Sequence, residues 1–86
     1  MSRSSRIHAA LTAAFAPETL EVIDDSARHA GHAGAAPGGE THYNLRIIAA
    51  AFIGQSRVAM QRAVMAALQD EFDNGLHALS IKASAP

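Results

Sequence analysis

The side chains best suited to chemistry in this chain are five histidines, His8, His29, His32, His42 and His77, in a sequence that has no cysteine. Neutral imidazole is the commonest protein ligand for transition metals, and it is the group whose charge changes nearest neutral pH. A thiolate centre supplied by this chain alone is excluded, as is any disulfide. Three of the five, His29, His32 and His42, lie in or beside "RHAGHAGAAPGGETHYN", a stretch made mostly of Gly, Ala and Pro. The spacing of three between His29 and His32 would let both reach one zinc or nickel ion, although a loop does not fix that geometry. His42 reads as a structural residue that bonds its own loop or steadies a ligand nearby. His77 opens the last strand, on the parity of its core residues, next to Gly75, which suits a ring held in one orientation. His8, on the first helix and far from the others in sequence, reads as a surface residue.

Other candidates are weaker. Asp24 and Asp25 are neighbours on a strand, so their carboxylates face opposite ways and cannot converge on one atom. Gly31-His32-Ala33-Gly34 spells the loop that clamps nucleic-acid backbone between two helices in KH domains, but here it falls between two strands. No nucleophile stands at readable spacing from a base, so no enzyme is expected. Arg46, Arg57 and Arg62 are the basic residues available to a nucleic-acid surface. Against them stands a net charge of −1, with seven Lys and Arg to eight Asp and Glu, where nucleic-acid binders are usually basic.

The elements that must position the histidines are legible. Ser5–Phe15 reads as a helix, with Ile7, Ala10, Leu11, Ala14 and Phe15 on one face, Ser4 or Ser5 at its start and Pro17 at its end. Thr19–Ser26 reads as a strand and residues 27–40 as a long loop, of the length that in compact domains tends to be functional. "THYNLRIIA" is a strand with Tyr43, Leu45, Ile47 and Ala49 inside and His42, Asn44 and Arg46 outside. Phe52 and Gly54 turn the chain into a helix over Gln55–Phe72, with Val58, Val64, Met65, Leu68 and Phe72 as its inner stripe and Met60 also in the core. Asn74-Gly75 stops that helix, and "LHALSIKA" closes the fold as a strand. The order predicts an α+β fold in which the first two strands pair antiparallel. The last strand, joined by a right-handed helical crossover, runs parallel to the second. Helices cover one face of the resulting three-stranded mixed sheet.

The 86 residues suggest a single domain over 1–86, with 49% apolar and 17% charged residues, a globular balance. Such a domain buries only about 60–65% of its unfolded surface. No apolar run is long enough to span a membrane, the N-terminus carries no secretory pattern, and a cytoplasmic location is the expectation.

Over nearly its whole length the chain resembles the BolA family, on the stretches "LEVIDDSARHAGHAG", "GGETHYNLRIIAAAFIGQSRV" and "EFDNGLHALSIKA". The Ser-x-x-His loop, the Thr-His-aromatic strand start, the Phe-x-Gly before the long helix and the late His-Ala-Leu carry the resemblance. It implies an αββα(α)β fold similar to a class II KH domain, with a short helical turn near Gln55. It also implies a monothiol glutaredoxin partner with a Cys-Gly-Phe-Ser site and a shared 2Fe-2S cluster. The partner supplies its cysteine and a bound glutathione; this chain supplies His77 and, at the Ser-x-x-His position, His29, with His32 as the competitor. The chain alone would be a monomer without cofactor, and the complex a heterodimer. Where the family usually has Arg-His-Arg on the long helix, this chain has Met60-Gln61-Arg62, a departure that weakens the alternative of a DNA-binding transcriptional regulator. The ligand chemistry is sound: two imidazoles can replace two thiolates on one iron of such a cluster, but they cannot complete both irons, so the sulfur donors must come from elsewhere.

Overall fold

The computed structural model describes residues 2–24 and 42–86. His29 and His32 of the long loop, and with them Asp25 and Thr41, lie outside the described residues.

Helix α1 spans Arg3–Phe15, two residues earlier than the sequence predicts, because Ser2 and not Ser4 or Ser5 is the cap: its side chain accepts the Ser5 backbone N–H. Ile7 and Leu11, four residues apart, are fully buried. The helix ends at Ala16, which takes a left-handed conformation (φ 46°) just before Pro17. Strand β1 is Thr19–Asp24, β2 is His42–Ile48 and β3 is Ala78–Ser84. The sheet order is β1-β2-β3, with β1 antiparallel and β3 parallel to the central strand, the expected mixed sheet. Tyr43, Leu45, Ile47 and Ala49 are buried as their parity requires. The opposite face, with Glu21, Ile23, Arg46, Ser80 and Lys82, is open to solvent.

The long helix expected over Gln55–Phe72 is instead two pieces, preceded by a separate short turn. A 3-10 turn covers Ala50–Phe52, where a turn nearer Gln55 was expected; α2 spans Arg57–Ala67 and α3 Gln69–Asp73. Ser56 caps α2 by accepting the Ala59 N–H at 3.1 Å. The expected inner stripe also needs correction, since Val58 is 57% and Met65 46% exposed. The real stripe is Met60, Val64, Ala67, Leu68 and Glu71. It follows the i, i+4, i+7, i+8 rule, and Val58 and Met65, seven residues apart, share one flank that turns away from it. Apolar type alone had placed those two inside. Phe15, at the end of α1, and Phe52, in the 3-10 turn, meet with ring centres 5.0 Å apart, tying the helical layer to the end of β2.

The inner stripe of the crossover ends on a charge. Glu71 is only 7% exposed and faces two arginines of α1. Arg6 donates from Nε to Oε2 at 3.0 Å and from Nη2 to Oε1 at 3.0 Å, and Arg3 donates from Nη1 to Oε1 at 3.0 Å. Arg3 also donates to the backbone carbonyls of Glu71 (3.1 Å) and Asn74 (2.9 Å), so a cation closes the C-terminal end of α3, where exposed carbonyls favour positive charge. The hydrogen bonds from Arg6 hold the Glu71 carboxyl below the usual glutamate range against the opposing push of burial, with the charges of Arg6 and Arg3 adding to them. A depressed pKa means that the folded state prefers the ionised form. The stabilisation is therefore complete above the ordinary glutamate pKa and disappears as pH falls through the lower folded value. Glu71→Ala, which strands the guanidiniums, should cost about 1–3 kcal/mol, read as a lower Tm at pH 7. Glu71→Gln should lose part of the acid dependence of stability between pH 5 and 3, and a wild-type-shaped curve in that variant would refute the assignment.

Candidate metal-ligand site at the mouth of the parallel strands

The N-terminal ends of β2 and β3 lie side by side. In the parallel register His42 pairs with Ala78 and Tyr43 with Leu79, so the residue just before β3, His77, comes beside the first residue of β2. The ring centres of His42 and His77 are 6.1 Å apart, with their planes 18° from parallel. His77 differs from the expectation in one respect: it is outside β3 and exposed, not on the core side. Parity governs extended chain, and the chain here is still leaving the turn after α3. Leu76, one residue earlier, takes the buried place at 4% exposure.

The turn itself is tightly held. Gly75 has φ 110°, a conformation that side chains resist. The Leu76 N–H donates to the Glu71 carbonyl at 2.9 Å, and Arg3 grips the Asn74 carbonyl. The α1 clamp thus fixes the backbone on the N-terminal side of His77, and the strand ladder fixes it on the other. On the partner side, His42 is half-buried and followed by Tyr43, 2% exposed. Asp24, opposite Tyr43 in the antiparallel register, brings a carboxylate to the same end of the sheet.

Among the described residues, the remaining candidates do not gather here. His8 is exposed on α1, 3.5 Å from the Thr12 hydroxyl. Arg46 is on the open face of the sheet, 3.6 Å from Glu21. Arg57 and Arg62, five residues apart on α2, point about 140° from one another around the helix. Lys82, which sequence reasoning passed over, is the strand partner of Arg46 and shares a groove with Arg57, Met60 and Gln61. Sequence reasoning also missed the Arg3–Arg6–Glu71 cluster; the phase of Glu71 on the crossover stripe was the one signal that could have found it. Among the described residues no group of three or more His, Asp or Glu side chains is gathered to hold a metal ion.

An α+β domain with this strand order, a split helical crossover and imidazoles at the mouth of its parallel strands defines a small class. The chain matches the family described as "BolA-like protein" over residues 11–86, and it belongs to that family. It is 47% identical over 87 residues to the "Uncharacterized protein in cobS 5'region" of Sinorhizobium sp, covering all of this chain and 94% of the relative. It is 49% identical over 89 residues to "SufE-like protein 1, chloroplastic/mitochondrial" of Arabidopsis thaliana, covering 99% of this chain but 24% of that longer protein. The solved BolA domain of SufE1 from Arabidopsis thaliana superposes with a TM-score of 0.90 at 49% identity, over all of this chain and 94% of that one. BolA1 from the same plant gives 0.88 at 36% identity, again over all of this chain and 94% of the other. The expected family and α+β fold are both shown. No helix among the described residues is long and apolar enough to cross a membrane.

The clamp yields a prediction at the turn. A Cβ on Gly75 would meet Arg3 Nη2 at 3.5 Å, an ordinary contact, so the cost of Gly75→Ala is backbone strain, about 1–3 kcal/mol. Gly54→Ala, at the opposite end of β2 with φ 79° and open space around its Cβ, should also lower Tm. Only Gly75→Ala should shift the imidazole resonances of His77, and equal shifts in both variants would show that the turn does not position that ring.

Proposed function

We infer that this chain is a non-enzymatic iron–sulfur accessory protein of the cytoplasm. In this reading it binds a monothiol glutaredoxin with a Cys-Gly-Phe-Ser site and lends two imidazoles to a 2Fe-2S cluster bridging the two proteins, in cluster assembly, transfer or iron regulation. The observation that carries the reading is His77: an exposed imidazole, held from both sides by rigid backbone, in a chain without a single thiol. The resemblance of the histidine motifs to the family adds the partner and the cluster, and His29, or His32 in its place, adds the second imidazole from the loop.

The donor set fits such a group in half. Imidazole is a competent ligand for one iron of a 2Fe-2S cluster and raises its reduction potential relative to thiolate. The other iron needs sulfur, which the cysteine of glutaredoxin and its bound glutathione would supply. Within this chain the residues have simpler tasks. The turn over Asn74–Leu76 presents His77, the β2–β3 ladder keeps it at the surface, and His29, outside the described residues, would add the second imidazole. The nucleic-acid alternative draws less support, because Arg46 stands beside Glu21 and Arg57 and Arg62 diverge around α2.

Mixing the apo chain with cluster-loaded glutaredoxin should change the visible absorbance and circular dichroism of the cluster. His77→Ala should abolish the new spectrum, and His29→Ala should weaken or shift it. A glutaredoxin spectrum that stays the same on mixing would rule the reading out.

A further inference from the structure

Two imidazoles of this chain already stand together without the loop. When two imidazoles bind one ion, each with its nitrogen ~2 Å from the metal, their ring centres lie about 5–6 Å apart. The rings of His42 and His77 are 6.1 Å apart with their planes 18° from parallel, close to that separation, and each ring would have to turn about its side-chain bonds to aim a nitrogen at a common point. The backbones beneath them need not move. His42 is the first residue of the central strand, backed by buried Tyr43 and Leu45, and His77 is fixed between buried Leu76 and the first rung of β3. Asp24 ends β1 at the same end of the sheet, which favours a cation there.

We propose that His42 and His77 form a two-imidazole site for a borderline divalent cation of the zinc class, with His42 a ligand furnished by the sheet itself. Imidazole nitrogens select against calcium and magnesium, which take oxygen donors. Zinc accepts nitrogen at this distance and, lacking any geometric preference from its d-electrons, adapts to a partly open pair. Its remaining positions go to water in the chain alone, or to donors from a docked protein. The site shares His77 with the proposed function but needs neither the partner, the cluster nor His29.

Zinc chloride titrated into the untagged, full-length chain tests it, followed by calorimetry and by imidazole nitrogen NMR. The resonances of His42 and His77 should move together and saturate at one equivalent, and a His29→Ala/His32→Ala double variant should bind as well as the wild type. His42→Phe keeps a flat ring beside His77 but removes the nitrogens. It should weaken binding at least ~10-fold, since even groups that only orient a ligand are worth about 10–100-fold. The site is refuted by shifts confined to His8, His29 or His32, by no shift at either ring of the pair, or by a His42→Phe variant that binds like the wild type. Should that variant misfold, the wild-type resonances decide the matter alone. A chain that fails here yet alters the cluster spectrum of glutaredoxin loses this site and keeps its proposed function; one that binds zinc at the pair yet leaves the cluster spectrum unchanged keeps the site and loses the function.

Discussion

The carboxylate of Glu71 has almost no access to water, and a charge in that position is tolerable only with partners that replace its hydration. Arg3 and Arg6 are those partners, and both come from the first turn of the first helix, 65 and 68 residues away in sequence. The contact does more than neutralise a charge. Arg3 continues past the carboxylate to the carbonyls of Glu71 and Asn74, so the same side chain that satisfies the acid also ends helix α3 and seats the glycine turn. The exit direction of the chain from that turn decides where His77 stands. A helix at the N-terminus thereby controls a histidine near the C-terminus, through one ion cluster and a handful of carbonyl hydrogen bonds.

The other half of the site depends on the sheet. A parallel ladder brings the beginnings of its two strands to the same end, and here those beginnings carry His42 and, one residue before β3, His77. An antiparallel pairing in this register would have carried the second histidine to the far end of the sheet. The helical crossover that makes the ladder parallel is thus a condition for the histidine pair. Across the break at Leu68, where the N–H reaches both Val64 and Met65 carbonyls, the buried stripe keeps its helical phase, so Glu71 continues it and meets α1.

The sheet was readable from sequence because period-two alternation in "THYNLRIIA" has one interpretation, and burial of Tyr43, Leu45 and Ile47 enforces it. Strand order followed from the presence of a helical crossover. The helical layer was less readable. Val58 and Met65 are as apolar as Val64, and only the phase of the finished helix separates them. Glu71 was invisible as a core residue because nothing local announces that two arginines near the N-terminus will reach it. The same locality limit applies to the histidines. His77 could be picked out as a candidate by type and by its motif, but its exposure could not, since strand parity does not extend to the residue that precedes the strand. The closeness of His42 to His77 could not be read either, because sequence separation hides adjacency: 35 positions from His77 along the chain, it is a neighbour across the ladder.

That adjacency bears on how a cysteine-free domain can take part in metal chemistry at all. An imidazole that is not held in place before binding has an ordering cost at the moment of binding. Imidazoles mounted on a strand and a clamped turn incur that cost when the domain folds, so their contribution to binding is correspondingly larger. His77 belongs to the second kind on the strength of its backbone restraints, and His42 shares the same platform. In the proposed function, such a clamped pair would set the position of the centre while further donors come from the partner. Neutral imidazoles also add no charge to the metal, so the electrostatic character of such a centre is left to the thiolates of whatever protein docks. In a domain whose own net charge is near zero, the proposed function would leave geometry to the sheet and charge to the partner.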